Sequence, residues 1–480
     1  MTTNESKKLR LIDAVMIVSG SMIGSGIFIV SSDMARQVFS PQWLILTWAL
    51  SGVLTLFAAL CYGELSGMFP KAGGQYVYLK EAFNPLVGFL YGWSFFSVIQ
   101  TGTIAAVGVA FSKFTGYFLP IFDLRPENLL LHIPYGAEKA VDIYPAHLLA
   151  IGVIVFLSWL NTRGLRGGRI VQNLFTSTKL IALFGLIVCG FLLGFKSEIW
   201  SANWAMGWTA NSFHLEGDTA VLIELGLSGI VGGIAAGMVG SVFSSDAWNS
   251  VTFIAGEIEN PSVNIGRALL IGTLSVSAIY ILTNLMYLGC LPLADIATAP
   301  QDRVGIAASQ AIFGNIGTYL IAALIMVSTF GCNNGLILSG ARVYQTMAKD
   351  GLFFKKAALV NKNDVPAWSI WAQCIWASAL CLSGRYGDLL DYVVFTVMLF
   401  YILTIAGVII LRIKRPDQER TYRTPLYPIL PIIYLLLGGA FAGALLYFKP
   451  EFTWPGVYIV LAGIPLYYLQ KKYTNKAATE

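Results

Sequence analysis

Charge is what this sequence has least of. Only 12% of its 480 residues are Asp, Glu, Lys or Arg, against roughly 25% in soluble domains. Stretches 43–60 and 392–411 contain no Lys, Arg, Asp or Glu, and about 20 apolar residues cross a bilayer as a helix. A soluble globule is excluded. The net charge of +5 is spread over loops and ends, so no nucleic-acid patch forms. Histidine is almost missing, at three residues. None of the six cysteines (Cys61, Cys189, Cys290, Cys332, Cys374 and Cys381) forms a C-x-x-C pair. They read as free thiols in apolar surroundings. HExxH, GxSxG and P-loop patterns are lacking, which leaves no case for an enzyme, a metal or a cofactor. The short polar start lacks a signal-peptide pattern, so the first helix is expected to be retained.

What fills the chain is apolar helix. Twelve spans are expected, at about 12–38, 42–68, 84–118, 146–161, 168–194, 227–256, 266–291, 316–345, 367–384, 387–412, 429–448 and 452–470. The first, third and sixth exceed a straight crossing, so tilt, extra turns or breaks are expected. Alternating the loops across the membrane puts 22 of the 31 Lys and Arg on the side of the N-terminus, 8 on the other and Lys179 inside a span. Positive residues favour the cytoplasm, so both termini are expected there. Segment 64–83 mixes aromatics and charge and reads as an interfacial or re-entrant helix. Segment 195–211 carries Trp200, Trp204 and Trp208, a spacing that suits an amphipathic helix on the opposite face, or equally an interfacial tryptophan belt.

Two spans carry the wrong residues for a plain membrane helix. Residues 18–30 read VSGSMIGSGIFIV, with Gly20, Gly24 and Gly26 among serines; each glycine costs a helix interior about 1 kcal/mol against alanine. The sixth span holds Phe243-Ser244-Ser245-Asp246-Ala247-Trp248-Asn249 after a glycine-rich run over 226–240. An aspartate at mid-membrane costs about 2.5–3.5 kcal/mol on insertion scales. Spans one and six hold matching places in two halves of five, and paired interruptions point to an inverted-repeat carrier with its site at the breaks. A free amino acid offers one carboxylate and one ammonium. Half-helix N–H groups would hold the first and broken-end carbonyls the second. Glycine would allow close approach and positive φ. Gly20-x-x-x-Gly24 also suits helix packing.

Ile23-Gly-Ser-Gly-Ile-Phe28 resembles the first-helix signature of the amino acid–polyamine–organocation superfamily. Phe243-Ser-Ser-Asp-Ala-Trp-Asn249 with Glu257-Ile-Glu-Asn-Pro261 is similar to the sixth-helix signature of its L-amino acid transporter branch. Tyr62-Gly-Glu-Leu65, Pro70-Lys-Ala-Gly-Gly-Gln-Tyr76, Gly331-Cys-Asn-Asn-Gly335, Ser339-Gly-Ala-Arg-Val343 and Ala348-Lys-Asp-Gly-Leu352 extend the likeness over nearly the whole chain. The resemblance implies an all-α polytopic membrane protein of twelve helices with a five-plus-five inverted repeat. It also implies sodium-independent amino acid transport, often as obligatory exchange. Carried over residue by residue, Ser25 and Gly26 would bind the substrate carboxylate, and the carbonyls of Met22, Phe243, Ser244 and Asp246 its amino group. The Phe243 ring would act as an aromatic gate. Lys179 would stand where related carriers bind sodium, between spans one, five and eight; the alternative is a lysine snorkelling to the headgroups.

The departures are informative. Ser245 and Asp246 replace the tyrosine and glycine of many members; Asp246 is expected to cap the half-helix or, second, to sense the substrate ammonium. Asn249 stands near a glutamate of the acid-activated antiporters and cannot titrate. Residues 119–145 hold no cysteine, so no disulfide-linked heavy chain is expected. Asn4-Glu5-Ser6 is the only N-x-S/T motif, which with the short termini suggests a bacterial inner-membrane protein. Gln100, Thr101 and Thr103 are expected to line a side-chain pocket or to join helices, Asn333 and Asn334 to face Lys179 or the substrate, and Glu64 and Asp13, at the ends where an inner gate would close, to serve that gate or to act as caps or loop salt bridges. The division expected is an N-terminal tail 1–11, repeats 12–194 and 227–412 around a connector 195–226, a loop 413–428, two further spans in 429–470 and a tail 471–480. The reading is a neutral amino acid exchanger in a lipid bilayer. The alternatives are a proton-coupled permease, a permease for cationic amino acids or polyamines, and, in another class, a channel or transporter-like sensor.

Overall fold

The structure, a computed structural model, describes residues 8–134, 140–164, 168–216, 219–382 and 386–476. The Asn4–Ser6 motif and Lys7, Lys139, Arg166 and Arg385 lie outside them. The protein is a polytopic helical membrane protein. Among the described residues, ten helices are long and apolar enough to cross a bilayer. Two expected spans fall short of that test. The first is split into Leu11–Met22 and Val30–Gln37, and the ninth, Ala367–Cys381, has 15 residues.

Both predicted interruptions are present. The first span unwinds at Ile23–Ser25 and passes through a single 3-10 turn, Gly26–Phe28, before Val30. The sixth runs as Leu227–Ser244, breaks, and resumes as the one-turn helix Ser250–Phe253. Of the glycines in the first break, none takes a positive φ, which corrects that part of the expectation. Close approach is the cause instead: a Cβ on Gly26 would lie 2.0 Å from Ser244 Oγ. The glycine-rich run of the sixth span serves the same end. A Cβ on Gly233 would meet the Gln37 carbonyl at 2.6 Å, and one on Gly240 would meet Val30 Cβ at 2.8 Å. Half-helices 30–37 and 227–244 therefore pack as a pair.

The third span, Pro85–Phe118, contains a π-turn at Phe95–Ile99, a widening often found at functional sites. It rotates Gln100 and Thr103 relative to the first turns of the helix. The eighth span is longer than expected, Val304–Lys349, bent at Gly314 (φ +67). Segment 64–83 divides: the second span runs on to Met68, and Gln75–Ala82 is a separate helix with Gln75, Tyr76, Tyr78 and Leu79 buried. This burial favours the re-entrant alternative over a helix lying on the surface.

The terminal face is knit together. Leu9 exchanges backbone hydrogen bonds with Glu257 and Glu259, both 2.9 Å. Lys80 pairs with Asp350 at 2.6 Å. Glu64 is buried, receives Arg412 at 2.8 and 2.7 Å, Arg420 at 3.2 Å and the Thr424 N–H at 2.7 Å. Asp13 accepts from the Arg10 N–H. Both acids are thus tied into this face by hydrogen bonds. On the far face the connector departs from a continuous helix. Ser197–Trp204 is helical, Gly207 (φ +64) follows its end, and Asn211–Glu216 pairs with Thr219–Glu224 as a hairpin. Trp208 thus leaves the helical row. A second hairpin pairs Leu131–Pro134 with Ala140–Ile143. These two hairpins are additions to the expected all-α fold.

Candidate functional site

Opening a helix exposes carbonyls at the end of its first half and N–H groups at the start of its second. The two breaks bring such groups together around two small linked cavities of about 20 Å³ each, enough for about one water apiece. The first is lined by Met22, Gly24, Ser25 and Gly26 from span one, by Phe243, Ser244 and Asp246 from span six, and by Thr103, Val107, Cys332 and Leu336. The second continues toward the terminal face past Gln100, Asn249, Tyr401 and Gln75. Thr103, Asp246, Ala247 and Leu336 line both.

The carbonyl ends are held by two side chains. Lys179 is buried, 3% exposed. Its ammonium donates to the Gly20 carbonyl at 2.6 Å and the Ile23 carbonyl at 2.9 Å. A cation there meets the negative end of the Leu11–Met22 half-helix. The side chain does not snorkel. Its hydrogen bonds are with span one; it lines a small cavity with Ser328 of span eight, but no hydrogen bond to span eight is formed among the described residues, where polar partners were expected. Tyr280, from the seventh span Pro261–Cys290, places its hydroxyl 3.0 Å from the Met22 carbonyl and 2.9 Å from the Ser244 carbonyl. One phenol thus joins the two broken ends. Sequence reasoning had no signal for it, because an aromatic in an apolar run looks like core.

Asp246 does not cap. The short half-helix begins after Asn249 without a side-chain cap, and the Asp246 carboxylate accepts from the Tyr401 hydroxyl of span ten. Besides Tyr401 it meets the backbone of Ala247 beside it, within the break, rather than the first turn of 250–253. Asn249 donates to Gln75 Oε1 at 3.2 Å, and Gln75 donates to Thr404 at 3.0 Å. The re-entrant helix is thereby tied under the second cavity.

Asn333 is also misplaced by the sequence reading. It lines neither cavity and donates to the Ile104 carbonyl at 3.3 Å, while Asn334 accepts from Asn161 at 2.8 Å. The helical phase of span eight points Cys332 and Leu336, four residues apart, at the site instead. The Cys332 thiol donates to the Ser21 carbonyl at 3.5 Å. Gln100 lines the second cavity and also donates to the Leu336 carbonyl at 2.6 Å. Thr103 bonds the Ile99 carbonyl and lines both cavities. Thr101 donates to the Phe96 carbonyl across the π-turn and stays outside them.

Residues 9–466 match the family model described as amino acid permease. Among relatives, the chain is 29% identical over 483 residues to b(0,+)-type amino acid transporter 1 of Homo sapiens, covering 98% of this chain and 89% of that protein. It is 28% identical over 477 residues to large neutral amino acids transporter small subunit 2 of Mus musculus, covering 98% and 82%. It is 30% identical over 471 residues to the serine/threonine exchanger SteT of Bacillus subtilis (strain 168), covering 97% of each. With its broken first and sixth spans meeting at one buried site and the family model spanning almost its whole length, the chain belongs to the amino acid permease family.

Proposed function

We propose that the protein is a secondary carrier that exchanges neutral L-amino acids by alternating access, without sodium. The observation that carries this reading is the meeting of two broken helices at one cavity lined by Ser25, Gly26, Phe243 and Ser244. In this reading Ser25 and Gly26 hold the carboxylate, and the carbonyls of Met22, Phe243, Ser244 and Asp246 hold the ammonium. Thr103 and Gln100 face the side chain. The Lys179 ammonium stands in for a metal ion against the first break, so no sodium is needed. The Phe243 ring separates the site from the far face. The names of the relatives, two amino acid transporters and a serine/threonine exchanger, agree with this substrate class. The protein is a transporter and not an enzyme.

The architecture we propose is a five-plus-five inverted repeat over 12–194 and 227–412, with two further spans. The terminal face is cytoplasmic, in a bacterial inner membrane, and the carrier works without a disulfide-linked heavy chain. The test is counterflow in proteoliposomes. Labelled serine or threonine should enter only when amino acid is loaded inside, at equal rates in sodium and potassium buffers. Uptake into empty vesicles, or its dependence on a sodium gradient, overturns exchange.

A second reading, transport of cationic amino acids, is favoured by one observation: a buried carboxylate, Asp246, lines both cavities. Competition by arginine that disappears in Asp246→Asn while serine exchange survives would select it.

A further inference from the structure

The outer surface of span four, Pro145–Thr162, carries a row of exposed residues that ends at the terminal face. Gly152, Phe156, Trp159 and Arg163 follow at steps of four, three and four, so they share one side of the helix and its C-cap. A Cβ on Gly152 would meet nothing within 4 Å. Phe156 is 48% exposed and Trp159 41%. From the glycine to the arginine the row measures about 16 Å, about half of a hydrocarbon core of roughly 30 Å. It is flat at mid-membrane, aromatic lower down and cationic at its end.

The cationic end is built from two segments. The Arg163 guanidinium lies over the Trp159 ring, 4.4 Å from its centroid. Stacking leaves the N–H edge of an arginine free, and that edge meets no acceptor among the described residues. The loop between spans eight and nine is fixed beside it. Asn361 and Asn363 both donate to the Thr162 carbonyl, at 2.7 and 3.4 Å, and Asn361 Oδ1 accepts the N–H groups of Asn363 and Val365. Lys362, between the two asparagines, is therefore held next to Arg163. The same loop exposes Lys355 and Lys356, flanked by Phe354 at 65% and Leu359 at 68% exposure. The ion pairs formed nearby, Lys80 with Asp350 and Arg342 with Glu257, leave all four of these cations out among the described residues. Asp364 is the one acid in 351–366.

Unpaired cations beside exposed aromatic and aliphatic side chains suit neither water nor hydrocarbon. They suit the boundary where anionic headgroups meet acyl chains. A soluble anion would use the cations and leave the apolar row bare. We propose that this surface is a binding site for an anionic phospholipid, its phosphate held by Arg163 and Lys362 and one acyl chain lying along Trp159 and Phe156 to Gly152. Lys355 and Lys356 attract neighbouring headgroups while Phe354 and Leu359 enter the leaflet. The site requires only that the protein spans a bilayer. It is independent of the cargo and of which face is cytoplasmic.

Native mass spectrometry of the purified, detergent-solubilised protein, titrated with dioleoyl phosphatidylglycerol or dioleoyl phosphatidylcholine, tests this. The wild type should retain the anionic lipid at least about 5-fold more tightly than the zwitterionic one. Arg163→Gln should weaken the anionic lipid by about 5-fold, and Lys362→Gln, on the other segment, should do the same if Arg163→Gln fails to fold. Arg267→Gln, an exposed arginine of span seven, should change nothing. Excess inorganic phosphate should not displace the lipid. Equal retention of the two lipids, displacement by phosphate, an equal loss in Arg267→Gln, or wild-type retention in both Arg163→Gln and Lys362→Gln overturns the site.

Discussion

At the residue scale, the site depends on a few groups that hold open backbone ends. Replacing Lys179 strips two buried carbonyls of their donor, and each unpaired group costs about 1–3 kcal/mol. Lys179→Ala should therefore cut exchange by roughly 10-fold or more while the protein still elutes as one monodisperse species; unchanged counterflow would leave the lysine without a role in transport. Gly26→Ala should abolish exchange, because the added methyl meets Ser244 Oγ at 2.0 Å and Ser244 Cβ at 2.7 Å. Gly26→Ala combined with Ser244→Gly should recover part of it, and a double-mutant cycle measures the coupling. Tyr280→Phe deprives the joined carbonyls of a donor and should lower the unfolding free energy by about 1–3 kcal/mol, read as a fall in Tm. What the sequence disclosed follows from contrast. Lys179 and Asp246 stand out because charge in an apolar run must be explained, and Ser25 and Gly26 because small residues interrupt a helix. Tyr280, Cys332 and Leu336 have no such contrast. Asn333 has it and still misled, because a membrane helix that is apolar both on its packed side and on its outer side does not show its rotation in the sequence.

At the scale of elements, both breaks, the re-entrant segment and an irregular third span were legible, because each needs glycine, proline or polar residues where a plain helix would have none. The hairpins on the far face were not. The tryptophans at 200, 204 and 208 mimic helical spacing, and Gly207 cuts the row only through its backbone conformation. The re-entrant helix turns on a residue that tests its importance. Gly74 has φ +47, and a Cβ there would lie 2.3 Å from Thr252 Oγ1, beside the short half-helix 250–253. Gly74→Ala should destabilise the protein by about 1–3 kcal/mol and depress exchange. Gly443→Ala, at a helical position where a Cβ meets nothing within 4 Å, should leave Tm unchanged or raise it slightly. Equal effects of the two substitutions would deny the re-entrant segment any special place.

At the scale of the whole molecule, ion pairs join parts far apart in sequence on both faces. On the far face Asp302 answers to Arg36 and Lys113. Burial works to raise its carboxyl, but the two cations outweigh burial and hold it below the ordinary value of 3.8. A carboxyl lowered in the folded state stabilises it above the unfolded pKa and loses that contribution as pH falls from there through the folded pKa. Asp302→Asn should therefore lower Tm near neutral pH, with the gap from wild type closing as pH drops below about 3.8. Asp302 is one-third exposed, so the gap at neutral pH is expected within about 1 kcal/mol. A gap that stays constant down to low pH would show that the charge of Asp302 is not what ties these far-face segments together.

The backbone bridge of Leu9 to Glu257 and Glu259 bears on the opposite face. It stitches the segment leading into the first half-helix to the segment leaving the sixth. To open that face with the two ends moving separately would tear two backbone hydrogen bonds. To swing them together would keep both. The two ends are therefore linked as a door of one leaf rather than two, hinged by a staple of three residues set apart from both central cavities.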